Sequence, residues 1–492
     1  MYQIFPELPA AKFGKTDAEE QANLAKLASG MVSEFDPPKD GPDPEESGIP
    51  GLYTYFGQFV DHDLTFDPSS SFQKQKDPDA GVDFRSPAFD LDNVYGRGPG
   101  DQPYMYEPDG KSFLLGDPIT QGRPPGARDL QRNRAGRALI GDPRNDENAI
   151  VSQLQGLFLR FHNRMVSQDP HAAFEEVQRT VRHHYQYVVL NDFLPRIVSA
   201  AVLSELKTNG VFDRAKLKFF KAFESPFMPL EFSVAAYRLG HSMVRPGYRL
   251  NDTVLLPIFP LPANETAGNP NFPEGLTGFR RLISDWALDW GRFVNIDTRA
   301  YGVDPDNHPT NQQKIDNFNR LQFAYRIDTA LVDPLKNLPQ PVADNPPPSL
   351  ALRNLQRGRE FNLPSGQEVA KFIGAPVLAD KDILIGQGVD KPDKPLPAIT
   401  EVGGAAFAGN CPLWTYVLAE AMRNKVEVTI PVKEEKQVST PQLGPVGGRI
   451  VAEVFLGLMY SDPGSYLTMD PNWTPPSGRN YALRDLIQFA LG

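Results

Sequence analysis

Proline is the feature that most restricts this chain: 48 of its 492 residues, about one in ten. Inside an α-helix a proline removes a backbone donor and its ring collides with the preceding turn. These residues must therefore lie in long connections between elements. Residues 33–50 (SEFDPPKDGPDPEESGIP) and 66–129 concentrate Pro, Gly, Asp and Ser and read as irregular chain.

The segments between them have helical periodicity. GLYTYFGQFVDHDLT (51–65) carries aromatic or apolar side chains at nearly every turn, as a buried helix does. From about 146 to 206, Ile150, Val151, Leu154, Leu157, Phe158, Phe161 and Met165 recur every three or four residues, and a second helix is expected from about 172 to 205. Residues 230–246 form another helical candidate ending at Pro246-Gly247. A proline-rich loop at 339–354 precedes helices in CPLWTYVLAEAMRN and GPVGGRIVAEVFLGLMY. Short β candidates occur around Val426–Val432, without an alternating strand series. The predicted fold class is mainly α with long irregular loops and little β. An irregular segment over 1–50 is expected to precede one domain over 51–492.

Composition narrows the chemistry. The single cysteine, Cys411, excludes an intrachain disulfide, a Cys-based zinc site and an iron–sulfur cluster held by this chain. A net charge of -11, spread along the sequence, argues against nucleic acid or an anionic membrane as main partner. The apolar stretch Ile450 to Tyr460 is too short for a transmembrane segment and is interrupted by Glu453. MYQIFPELPAAKFGKTDAEE has neither a basic n-region nor an apolar h-region. No secretory signal peptide is expected, which points to the cytoplasm or to export without a leader.

Phosphate loops, a GxGxxG opening a helix and an HExxH zinc motif are missing. Gly240-His241-Ser242-Met243-Val244 lacks the last glycine of a nucleophile elbow and sits in a helical pattern. Seven histidines remain. His171 and His308 lie beside prolines in polar loops and should be solvated, while the adjacent His183 and His184 point to different helix faces and read as structural. His62 and His241 stand out. Gln58, Asp61 and His62, at i, i+3 and i+4, share one face of the apolar helix. Burying them is costly unless something uses them, the competing reading being a hydrogen-bonded core triad.

FGQFVDHDLT resembles the distal-helix signature of the animal-type haem peroxidases, the peroxidase–cyclooxygenase superfamily. Further segments match in order. GDPRNDEN (141–148) resembles the family's catalytic Arg-x-x-Glu stretch and LFLRFHNRM (157–165) its following helix. AYRLGHSMVRP (236–246) resembles the proximal-histidine helix and LRNLQRGREFNLPSG (352–366) the proximal Asn and Arg segment. The resemblance spans about 50–370, weakens over 410–460, and suggests a compact bacterial-type member.

The resemblance implies haem b held through His241 as proximal iron ligand. Asn354 would accept the ligand's other N–H. Arg238 would pair with a haem propionate, and Arg357 would lie near the haem edge. On the distal side His62 would move the protons of hydrogen peroxide. Arg144 would stabilise charge on the leaving oxygen, and Gln58 would position water or a halide. The bland alternative for Arg144 is a salt bridge with Asp142, Asp146 or Glu147. Asp61 and Glu147 match two carboxylates that form ester links to haem methyl groups in mammalian members. Asn148 stands where some members carry a methionine bonded to a haem vinyl, and cannot do that chemistry. His162 matches a family HNR segment and reads as structural.

A calcium site is implied too. Asp63 would join Ser86, Ala88, Asp90 and Asp92 from SPAFDLD (86–92), with Ala88 giving its carbonyl. The competing reading of that loop is an Asx-turn. The implied activity is peroxide-driven oxidation of halide, thiocyanate or small aromatic donors, in the setting of oxidative stress. The alternative is a haem-dependent fatty-acid dioxygenase of the same superfamily, which uses a tyrosine three residues before the proximal histidine. Here Arg238 holds that position, and Tyr237 is one residue off.

Overall fold

A helix appears where irregular chain is expected. Within 1–50, residues Asp17–Gly30 form α1, capped by the Thr16 side chain accepting from the Glu19 amide. Asp17, Glu19 and Glu20 in its first turn suit the positive end of the helix dipole. Its buried apolar stripe is only Leu24, Leu27 and Ala28, too narrow to register as periodicity. The computed structural model describes residues 2–65, 85–119, 126–221, 224–260, 275–339, 347–392 and 394–492. Parts of the loops expected over 66–129 and 339–354 lie outside the described residues.

β1 (Glu46–Pro50) pairs antiparallel with β2 (Phe323–Tyr325) and delivers the chain into α2 (Leu52–Leu64). α2 is buried on almost every side, as its sequence requires. Phe59 stacks on Phe158 of α3 (Ala149–Gln168) with ring centroids 4.5 Å apart. Gly57 lets Phe193 approach, since a Cβ there would sit 3.1 Å from the ring.

α3 packs against α4 (Phe174–Val188) and, at the carboxyl end of the chain, against α8 (Leu483–Leu491). α5 (Leu350–Glu360), α6 (Leu413–Arg423) and α7 (Pro445–Ser461) complete the other side. The fold is mainly α. Among the described residues, strands occur only as two-stranded pairs, including β3 (Lys425–Thr429) with β4 (Gln437–Pro441) where β structure is expected. One core joins Phe5 near the start to Ala490 near the end.

The candidate helix at 230–246 is shorter and of another type. Glu231–Ala235 is one π turn and Ala236–His241 is 3-10 helix. The buried Glu231 carboxylate accepts from the amides of Ile4 and Phe5 at 2.8 and 3.0 Å, tying this distorted segment to the amino-terminal strap. In a 3-10 helix side chains at i and i+3 eclipse, so Arg238 and His241 share a face.

Candidate active site

α2 presents Gln58, Asp61 and His62 on one face, and the turn Pro143–Asp146 is laid against it. The Asp142 side chain caps that turn by accepting from the Arg144 amide at 2.8 Å. Gly141 permits close approach, because a Cβ there would collide with the Asp92 carbonyl. Asn148 caps α3, accepting from the amides of Ile150 and Val151, while its Nδ2 donates to Gln58 Oε1 at 3.2 Å. Gln58 Nε2 donates in turn to Glu147.

Arg144 makes a buried ion pair, the bland alternative relocated into the interior. Its Nη2 lies 2.8 Å from Asp142 Oδ2, and the carboxylate is fully buried. The same nitrogen donates to the carbonyls of His62, at 3.1 Å, and Thr65. The guanidinium thus holds the last turn of α2. Asp142 also binds Arg85 at 2.7 Å.

His62 is buried, and its Nδ1 lies 2.7 Å from Asn145 Oδ1. Burial, and then the charge of Arg144, lower its pKa to about 3, so the imidazole is neutral at physiological pH. Glu147 moves the other way, to about 8, raised first by burial against the opposing charge of Arg144. The charge of Asp61 acts on Glu147, Arg144 and Tyr237, which places it in the same group.

The proximal set is Arg238, His241 and Asn354. Asn354 Oδ1 accepts from Arg238 Nη1 at 3.0 Å, and its Nδ2 is 2.8 Å from His241 Nδ1. This reverses the expected polarity, in which Asn354 accepts from the histidine. Arg238 carries only donors and takes the amide oxygen, leaving the amide nitrogen for His241. Burial, and then Arg238, lower the His241 pKa to about 3. Arg357, one turn after Asn354, places its guanidinium over the Phe361 ring, 5.1 Å from the centroid.

α2 touches both sets. Tyr237 Oη donates to the Gly57 carbonyl at 3.1 Å, and Thr54 Oγ1 to that of Met243 at 3.3 Å. Nε2 of His62 and of His241 has no hydrogen-bond partner among the described residues, although Nδ1 of each is engaged. His62 is buried and His241 partly buried, both rings are neutral, and to hold haem iron through Nε2 the His241 ring would need its hydrogen on Nδ1, with the Asn354 amide turned to accept it.

The calcium loop is less assembled than expected. Asp90 closes an Asx-turn, its oxygens accepting from Ser86 Oγ and the Asp92 amide, both at 3.2 Å. The Ala88 amide bonds the Ser86 carbonyl, and Ser86 is exposed. Among the described residues no three His, Cys, Asp or Glu side chains converge as a metal group. The turn satisfies Asp90 locally, and mutual repulsion does not favour closer carboxylates. Asp63 is the exception: it is fully buried, beside the Leu91 amide and the Tyr185 hydroxyl, and neither carboxylate oxygen makes a hydrogen bond of normal geometry among the described residues. Burial, then Asp90, push its pKa well up.

The remaining histidines behave as structural groups. His162 lies between Tyr95 Oη, 3.0 Å away, and the Lys111 carbonyl, 2.9 Å away. His183 and His184 bond the carbonyls of Gly464 and Thr180. His171 and His308 are exposed. Ser242 Oγ is bonded to the Leu239 carbonyl at 2.9 Å and is not poised as a nucleophile. Asn145, Asp142 and Gln155 emerge from the structure as part of the site's support. A buried glutamine in the apolar run of α3 is the one signal the sequence offered for the last.

A family model described as animal haem peroxidase matches residues 82–392. A peroxidase-like protein of Margaritifera margaritifera is 28% identical over 245 residues, 46% of this chain and 26% of that protein. Human thyroid peroxidase is 25% identical over 253 residues, 49% of this chain and 23% of its own. The chain thus spans about a quarter of the length of these relatives. Among solved structures, peroxidase A from Dictyostelium discoideum has a TM-score of 0.54 at 15% identity, covering 95% of this chain and 88% of that one. Oryza sativa fatty acid alpha-dioxygenase has a TM-score of 0.52 at 15% identity, covering 98% and 77%. Both share the fold.

Proposed function

Since this chain belongs to the animal haem peroxidase family, we propose that it is a haem peroxidase that reduces hydrogen peroxide and oxidises halide, thiocyanate or a small aromatic donor. The observation that carries this reading is the pair His62 and His241, both neutral, each with Nδ1 bonded to a side-chain amide and Nε2 without a hydrogen-bond partner among the described residues. Haem, when bound, supplies the two-electron redox chemistry that no side chain here can. His241 would hold it through Nε2, with Arg238 and Arg357 as cations for its propionate edge and Asp61 and Glu147 as candidates for ester links.

His62 Nε2 takes a proton from hydrogen peroxide and gives it to the departing oxygen, help worth about 10²–10⁴ in rate. Burial, and then Arg144, keep that imidazole unprotonated, and Arg144 stabilises negative charge beside it. Gln58, held between Glu147 and Asn148, positions a water or an anion. Calcium would be held by Asp63 with Asp90, Asp92, Ser86 and the Ala88 carbonyl, joining the 86–92 loop to α2. The Asp63 oxygens, which make no hydrogen bond among the described residues, support that assignment.

The test is an absorption spectrum of the chain reconstituted with haem and calcium. A Soret band that changes on adding peroxide, and returns with bromide, iodide or guaiacol, is expected. Folded protein without a Soret band would refute the haem assignment.

A second reading rests on Tyr237. Its buried ring stacks on Phe232 at 4.7 Å, and its hydroxyl reaches α2 beside Gln58. A fatty-acid dioxygenase would use such a tyrosine to abstract hydrogen. Oxygen uptake with palmitic acid, abolished by Tyr237→Phe, would favour that reading over peroxidase.

A further inference from the structure

His62 and His241 each meet a side-chain amide through Nδ1, but they face opposite ends of it. His241 meets the nitrogen of Asn354. His62 meets the oxygen of Asn145, and a chain of one-way hydrogen bonds fixes that orientation.

The chain starts at the backbone carbonyl of Asn93, which can only accept. Gln155 Nε2 donates to it at 3.4 Å, which turns Gln155 Oε1 toward Asn145. Asn145 Nδ2 donates to that oxygen at 2.8 Å. Only Oδ1 of Asn145 is then left for His62, and an amide oxygen has no proton to give. The imidazole 2.7 Å away must carry its hydrogen on Nδ1.

Asn93, Asn145 and Gln155 are fully buried, so bulk water does not compete to reverse the sequence of donors. The starting carbonyl is itself anchored. It accepts from the Asp142 amide at 3.1 Å, and Asn93 Nδ2 donates to the Phe59 carbonyl on α2 at 3.0 Å. The relay is therefore tied at both ends to the helix that carries His62, through the Asn93 side chain at one and the imidazole at the other.

We infer that Asn145 is a positioning residue: with Gln155 and the Asn93 carbonyl it locks His62 as the Nδ1–H tautomer, leaving the Nε2 lone pair to receive the proton of hydrogen peroxide. The substrate in that statement rests on the peroxidase reading; the tautomer does not. Without the relay both neutral tautomers are accessible, and the Nε2–H form has no lone pair where the proton must go.

The test labels the seven histidines of the full chain with ¹⁵N, and assigns the His62 tautomer with and without bound zinc protoporphyrin, a diamagnetic stand-in for haem. The wild-type chain is expected to show Nδ1–H and a bare Nε2. Asn145→Leu should give a mixture of tautomers, and its haem-loaded form should react with peroxide about 10- to 100-fold more slowly. Asn145→Asp keeps an oxygen facing Nδ1 and should restore the single tautomer. Gln155→Leu, which does not touch the imidazole, should produce the mixture without removing the Asn145 contact, and it serves if Asn145→Leu fails to fold. A wild-type His62 protonated on Nε2, or an unchanged tautomer in Asn145→Leu and Gln155→Leu alike, would overturn the inference. A tautomer that responds as expected in a chain whose haem form ignores peroxide would sustain it and sink the peroxidase reading instead.

Discussion

Arg238 and His241 meet on one amide. Arg238 Nη1 donates to Asn354 Oδ1 at 3.0 Å, and Asn354 Nδ2 stands 2.8 Å from His241 Nδ1. An imidazole that offers Nε2 to iron while staying neutral must carry hydrogen on Nδ1, and that hydrogen needs an acceptor. Asn354→Asp presents an oxygen to both neighbours and is predicted to bind haem at least as tightly as the wild-type chain. Asn354→Leu, which supplies no acceptor for that hydrogen, is predicted to bind haem about 10- to 100-fold more weakly than Asn354→Asp. Absorbance titration with haem measures both.

The Asp142 carboxylate, buried between Arg144 and Arg85, sets a second prediction. Burial pushes its pKa up, but the charge and hydrogen bonds of Arg144 win and hold it below the usual carboxylate range. A group whose folded-state pKa is depressed stabilises above its unfolded pKa and loses that contribution on acidification. Asp142→Asn should cost about 3–5 kcal/mol near neutral pH, because it leaves buried cations uncompensated. The difference from wild type should shrink as the pH falls below about 4. Urea unfolding at several pH values would show either pattern.

Glu147 has the opposite sign. Burial raises its pKa from 4.5 to about 8, so the folded chain holds this carboxyl protonated at neutral pH. Its favourable contribution is complete below the unfolded pKa and is lost as pH rises through about 8. Haem-free protein should therefore melt at a lower temperature as pH goes from 6 to about 9. In Glu147→Gln that part of the slope should vanish.

Asp63 predicts a response to calcium. Its two oxygens, which make no hydrogen bond among the described residues, should gain a ligand when the cation binds. At a concentration about 100 times the dissociation constant, binding adds about 2.7 kcal/mol of stability. Calcium is expected to raise the melting temperature of the wild-type chain and to leave Asp63→Ala unmoved. Magnesium, which gives up water reluctantly, should do less. Equal stabilisation of both proteins by calcium would refute the site.

Much of this arrangement is legible in the sequence, and the reasons for the remainder are local. Helix α2 announces itself because Phe56, Phe59, Val60 and Leu64 leave only one face for Gln58, Asp61 and His62. α1 stays hidden because its core contact is three residues wide amid charged neighbours. The π and 3-10 turns of 231–241 cannot be read from an apolar pattern that an α-helix would share. That segment is also tied to distant chain, the Glu231 carboxylate accepting from the amides of Ile4 and Phe5, more than two hundred residues away in sequence.

The support of the site is also hidden for a physical reason. Asn145 next to Arg144 looks like a polar turn residue, and its partner Gln155 looks like a blemish in an apolar helix. Only the fold puts one against His62 and the other against Asn93. The sense of the Asn354 amide depends on Arg238, one of two cations that the sequence places near the same group. Asp90 turns toward Ser86 and Asp92, as an Asx-turn does, although calcium ligation uses the same residue types.

The Asn354–His241 contact closes 113 residues of chain, and the His62–Asn145 contact closes 83. Such distant pairings are made late and slowly, after local helices have already formed. Each imidazole is therefore completed only when two separate stretches dock, the one bearing Asn145 on His62 and the one bearing Asn354 on His241.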